Sequence, residues 1–146
     1  MNSHASYKKA FRKILTDIER DIYVDRWEIS NEDIELGVDW RITKRRLAGG
    51  LSDGVDVVEV NNGSLSFVTI PTRGMGIWKG CYKGIYLGWD SPVKRLVHPQ
   101  SVDLEARGGL GFLDGFNEWV VRCGLESFGA PGLDEIIDNN GTRKEI

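Results

Sequence analysis

The feature that most constrains this chain is a pair of β-forming runs joined by an Asn-Gly turn. Residues 55–60 read Val-Asp-Val-Val-Glu-Val, residues 64–70 read Ser-Leu-Ser-Phe-Val-Thr-Ile, and Asn61-Asn62-Gly63 lies between them. β-Branched and aromatic side chains suit a pleated, half-buried surface. Asn-Gly supplies the two positive φ angles of a type I′ turn, a tight link between antiparallel strands. The stretch therefore predicts an antiparallel hairpin, with Leu65 and Phe67 on one face of its second strand and Val68 and Ile70 on the other.

The same grammar repeats on both sides. A strand is expected over residues 40–47, closed by Gly49-Gly50, and a second hairpin over residues 77–82 and 85–89, turning at Lys83-Gly84. Asp90-Ser91-Pro92 ends it, because proline cannot donate to a ladder. Between the two hairpins runs Pro71-Thr72-Arg73-Gly74-Met75-Gly76, a turn that carries one cation. After the glycine cluster at residues 107–111, the spacing of Phe112, Phe116 and Trp119 predicts a short helix or turn with these rings inward, then a strand toward Leu125. Asn139-Asn140-Gly141 repeats the hairpin signal, although residues 142–146 barely supply a second strand. The 18 glycines concentrate after Gly37, as expected of short strands joined by tight turns, so the fold class is mainly β.

One segment departs from this pattern. Tyr7, Phe11, Ile14, Leu15, Ile18 and Ile22 form one apolar stripe at helical spacing, opposite Lys8, Lys9, Arg12 and Lys13. The spacing predicts an amphipathic α-helix within residues 1–24, packed on a β domain that occupies residues 25–146. Asp17, Glu19 and Asp21 argue against a membrane-surface role for it.

A chain of 146 residues can enclose a core, and 40% apolar with 28% charged residues is globular rather than disordered. The net charge of −3 argues against a nucleic-acid partner, which would need clustered cations; Lys44-Arg45-Arg46 is too short a cluster to reverse this. Cys81 and Cys123 allow one bridge at most and read as buried free thiols in a reducing compartment. No run approaches the roughly 18 apolar residues of a membrane span, and no signal-peptide core opens the chain, so a cytoplasmic protein without a membrane partner is expected.

Gly109-Leu110-Gly111 is not a dinucleotide fingerprint, because Asp114 stands where the third glycine belongs and no βαβ pattern surrounds it. His98, beside Pro99, reads either as a proton shuttle or as a loop histidine bonded to backbone. Asp114 and Glu118 would share a face of a helical turn and read as a solvated edge. Arg73 and Arg122 are better binding candidates, since a guanidinium donates in pairs to vicinal hydroxyls or a carboxylate. Trp78, Trp89 and Trp119 offer flat faces for a sugar ring, or else belong to the core.

These residues carry a family pattern. Ile70-Pro71-Thr72-Arg73-Gly74-Met75-Gly76-Ile77, then Gly88-Trp89-Asp90-Ser91-Pro92, His98-Pro99, Gly111-Phe112-Leu113, Arg122-Cys123-Gly124-Leu125-Glu126 and Gly129-Ala130-Pro131 resemble the domain-of-unknown-function 4432 family. That family is grouped with the aldose 1-epimerases, or galactose mutarotase-like proteins. The resemblance implies a large antiparallel β-sandwich, the galactose mutarotase-like supersandwich, with a carbohydrate site on its concave face. It also implies acid–base chemistry in which a histidine protonates the ring oxygen while a glutamate takes the anomeric proton. A histidine-glycine motif expected after the Cys-Gly-Leu element does not occur before Ile146, so the chain is expected to be the N-terminal portion of a protein at least twice as long. Its catalytic residues are not assigned. Arg73, Trp89, His98, Arg122 and Glu126 are the expected sugar-binding residues, with no metal or cofactor implied. The expected function is carbohydrate binding within a mutarotase-like isomerase, or else a non-catalytic carbohydrate-binding or sensing domain. An incomplete sheet leaves an unpaired edge, a surface for homo-oligomerisation.

Overall fold

A computed structural model describes residues 11–121, 133 and 135–145. Its centre is one antiparallel sheet of six strands, each hydrogen-bonded to its sequence neighbours: β3 (Trp27–Ser30), β4 (Arg41–Arg46), β5 (Asp56–Asn61), β6 (Leu65–Ile70), β7 (Gly76–Tyr82) and β8 (Ile85–Leu87). Two short strands, β1 (Thr16–Asp17) and β2 (Ile22–Tyr23), pair with each other. β9 (Glu135–Ile137) pairs with β10 (Arg143–Glu145) around the second Asn-Gly, although each strand has only three residues. The chain is thus mainly β and antiparallel. No helix among the described residues is long and apolar enough to cross a membrane.

Register divides the main sheet into two unlike faces. Ile42, Val58, Val60 and Phe67 fall on one, while Thr43, Glu59, Val68 and Lys79 align across the other, with Arg45 and Val57 one pair along. The second face is polar except at one end. There Val55, Val57, Ile70 and Leu96 form the buried core, with Leu47, Val68 and Trp78 packed against it. Leu96 reaches this core because its segment is tethered across the strands: Ser52 Oγ donates to Leu96 O at 2.5 Å and His98 N donates to Leu51 O at 2.7 Å. A bulge completes the arrangement. Val68 pairs with Lys79 but Thr69 pairs with Ile77, so Trp78 is an extra residue that joins Lys79 on the core-bearing face.

The turns part company with their sequence signals. Lys83 (φ 48°) and Gly84 (φ 82°) both adopt the positive φ of a type I′ turn. At Asn61-Asn62-Gly63 the hairpin forms, but only Gly63 has positive φ (85°). Asn62 Oδ1 accepts from the N–H groups of Ser64 and Leu65, and Asn61 Oδ1 from that of Gly63, so side-chain turns replace the expected type I′ geometry.

The expected N-terminal helix is corrected over residues 11–24, which contain β1 and β2 instead; residues 1–10 lie outside the described residues. Asp17 Oδ1 accepts from Glu19 N and Arg20 N, and Asp21 takes a left-handed φ of 53°, making a turn at the centre of the helical stripe. Ile18 of that stripe is 91% exposed. The extended form wins through tertiary anchors. Tyr23 OH donates to Asp56 Oδ1 at 2.7 Å, and buried Lys44 bonds Val24 O at 2.6 Å, pairs with Asp56 at 3.2 Å and lies over the Tyr23 ring.

Residues 106–114 form short helical turns, Ala106–Gly109 and Leu110–Asp114. The inward packing expected of three rings is also corrected: Phe112 and Trp119 remain exposed, and only Phe116 is half-buried. Cys81 is free and half-buried rather than fully buried, while Cys123 lies outside the described residues.

Partial burial and the Asp56 carboxylate hold the Tyr23 phenol above its ordinary pKa of 10.0, with Arg46 opposing. The unfolded chain therefore loses this proton first, so the contribution to stability is complete below about pH 10 and falls as pH rises through the folded value. Urea midpoints across this range are expected to drop less steeply in Tyr23→Phe than in the parent, while the variant is the less stable at neutral pH.

Candidate functional site

Proline at the first position starts the 3-10 turn Pro71–Arg73 directly after β6, and left-handed Gly74 and Met75 send the chain back into β7. Thr72 Oγ1 accepts from Asp56 N at 2.8 Å, and Met75 N donates to Ile70 O at 3.0 Å. These bonds fix the backbone, and the Arg73 side chain is left 13% exposed. Its Nη2 lies 2.7 Å from Glu118 Oε2 and its Nη1 donates to Asn117 Oδ1 at 3.1 Å.

The partners are buried more deeply than the arginine. The Glu118 side chain is 5% exposed, and the same Oε2 also accepts from Asn117 N at 3.2 Å. Asn117 donates both amide protons, to Val93 O and Arg95 O, at 3.0 Å each. Trp89 Nε1 donates to Glu118 O at 2.8 Å, and Ser91 Oγ to Phe116 O at 2.9 Å. One guanidinium thus joins the turn after β6 to residues 89–95 and 116–118. Burial pulls the Arg73 pKa below its ordinary value, and the Glu118 carboxylate opposes that shift.

Arg73 and Glu118 form the polar end of a cavity of about 240 Å³, walled by Val97, Pro99, Val102, Leu104 and Phe112. Gly115 backs it, where a Cβ would lie 2.9 Å from Val102 Cγ2. Chemically the arrangement offers hydrogen-bond donors at one end of an otherwise apolar cavity. A guanidinium has five N–H donors, and those not used by Asn117 and Glu118 can meet hydroxyl oxygens, but it does not release a proton near neutral pH. Among the described residues no group of three His, Cys, Asp or Glu side chains comes together to hold a metal ion.

Of the residues singled out from the sequence, Arg73 and Trp89 share this network. The Trp89 ring lies 5.7 Å from that of Phe116. His98 stands apart: its chain neighbours Val97 and Pro99 line the cavity, while its ring lies beside Gly54 and its Nδ1 accepts from Gln100 N. Arg122 and Glu126 lie outside the described residues. Glu118 is corrected from a solvated edge to a buried ion pair, whereas Asp114 meets Arg107 at the surface. A usable signal was present, since Glu118 stands in Phe-Asn-Glu-Trp, and a charge set among rings needs a partner.

Asn117→Asp tests the network. The carboxylate would lose both donors and face the Val93 and Arg95 carbonyls. A loss of about 2 kcal/mol or more is expected from urea unfolding, despite the added negative charge beside Arg73.

Residues 52–141 match the model of the family described as Domain of unknown function (DUF4432). Among solved structures, the chain is similar to a putative aldose 1-epimerase from Klebsiella pneumoniae subsp. pneumoniae MGH 78578, at 36% identity and a TM-score of 0.69. The similarity covers 71% of this chain and 28% of that one, so the chain spans little more than a quarter of its relative. No curated protein matches it. The family match takes in more than half of the residues and includes the whole Arg73 network, and the antiparallel sheet is aldose epimerase-like; the chain belongs to the DUF4432 family, within the galactose mutarotase-like superfamily.

Proposed function

We propose that this chain binds a sugar as part of an aldose 1-epimerase-like isomerase, with the Arg73 cavity as one wall of the sugar site. The observation that carries this reading is the buried Arg73–Glu118 pair at the polar end of a small, otherwise apolar cavity inside the family-matched residues. Guanidinium and carboxylate together offer donors and acceptors to neighbouring hydroxyls, and aliphatic walls suit the C–H faces of a ring. Trp89, Arg122 and Glu126 belong to the same proposed site, and His98 approaches it through its chain neighbours. This reading assigns the acid and base of ring opening to no residue of this chain. The remaining features of the reading are a sugar as the small-molecule partner, a cytoplasmic location and self-association through an open sheet edge.

A second reading, a non-catalytic carbohydrate-binding or sensing domain, is favoured by the state of Glu118. Its Oε2 already accepts from Arg73 and from Asn117 N, which leaves it poorly placed to act as a free base.

Calorimetric titration with galactose and glucose is expected to show saturable binding to the chain. Leu104→Trp, at the exposed rim of the cavity, should weaken it about tenfold, that is by about 1.4 kcal/mol, with the unfolding midpoint unchanged. Binding that ignores Leu104→Trp would remove the cavity from the account. Mutarotation by the chain alone is expected to proceed at the buffer rate, and clear acceleration would contradict a reading that assigns no acid or base to this chain. The full-length protein separates the two readings, since only the isomerase accelerates mutarotation.

A further inference from the structure

The polar face of the sheet carries a second concavity. A groove of about 440 Å³ crosses β4 to β7 and ends under residues 94–96. Its floor is apolar, with Val57, Val68 and Trp78. Around this floor stand Arg45 from β4, Lys79 from β7, and Lys94 and Arg95 from the crossing segment, with Glu59 the one carboxylate. Four cations from three separate parts of the chain thus converge in a protein whose net charge is −3.

Local structure explains the convergence. In the run Lys44-Arg45-Arg46, strand alternation sends Lys44 and Arg46 to the Tyr23 side and Arg45 alone to the groove. The bulge at Trp78 brings Lys79 onto the same face as the indole, with Nζ 4.2 Å from the ring centroid. Lys94 meets Asp90, but Arg45, Lys79 and Arg95 make no ion pair with any described residue. The groove is separate from the Arg73 cavity, because the crossing segment lies between them: Leu96 lines the groove and Val97 the cavity.

We propose that this groove binds the phosphate monoester group of a small ligand. Two guanidinium forks and a lysine fit the tetrahedral dianion, which accepts several charge-assisted hydrogen bonds at once. The Trp78 floor supplies an apolar surface for the carbon skeleton attached to it. A sugar phosphate combines both parts; that the skeleton is a sugar rests on the function proposed above, whereas the phosphate site stands on the groove alone.

The test is calorimetry and ³¹P NMR on the chain with inorganic phosphate, glucose 6-phosphate and glucose, at low salt. Both phosphates are expected to bind, glucose 6-phosphate the more tightly, and added KCl should weaken both by screening. Arg45→Ala combined with Arg95→Ala, two exposed positions, should reduce affinity at least tenfold with an unchanged unfolding midpoint. Leu104→Trp, which closes the other cavity, should leave phosphate binding intact, so failure here is distinguishable from failure of the sugar reading. Absence of phosphate binding, or equal binding by the double variant, would overturn the proposal. Equal affinity for inorganic phosphate and glucose 6-phosphate would overturn the sugar part and keep the anion site.

Discussion

The Arg73 guanidinium and the Glu118 carboxylate leave water together, and the arrangement of the second half of the chain follows from how that cost is met. Desolvating two charges is expensive, and the attraction between them offsets it only when further hydrogen bonds satisfy both groups. Asn117 supplies those bonds, accepting from Arg73, donating its backbone N–H to Glu118 and spending its amide protons on Val93 O and Arg95 O. Residues 89–95 and 116–118 have little regular structure of their own, so the polar network positions them where a strand ladder otherwise would. The isolated bridge between Ile77 and Val120 then attaches the same region to the stretch of β7 that β8 leaves unpaired.

Strands proved legible where pattern and turn agreed. β5 to β8 follow from alternating β-formers and turn residues, because hairpins depend on contacts near in sequence. The N-terminal segment failed for the opposite reason. Its stripe at helical spacing was real, but Tyr23 and Val24 are anchored by Asp56 and Lys44, partners twenty or more residues away that no local pattern announces. The lesson from Asn61-Asn62-Gly63 is similar: asparagine can build a turn with its side chain, so the dipeptide predicts reversal better than it predicts turn type.

The candidate site was legible in half. Arg73 stood out between Pro71 and Gly74 because a cation on a constrained turn has a fixed direction, and Trp89 followed as a flat aromatic face within the family motif. Asn117 carries no signal of its own and the spacing of Asp114 and Glu118 resembles a solvated edge, since burial is a tertiary property. The unlike faces of the sheet also emerge only from register. Alternation says that neighbours point apart, but pairing decides that Arg45, Glu59 and Lys79 share a side.

The central claim is that the Arg73–Glu118 pair is a buried, mutually dependent unit rather than a surface contact. A double-mutant cycle with Arg73→Ala, Glu118→Ala and the combined variant, read by urea unfolding, measures that dependence most directly. The account predicts a coupling energy of about 2 kcal/mol or more, because each single variant strands a buried charge. A coupling below about 0.5 kcal/mol, the range of exposed ion pairs, would contradict it.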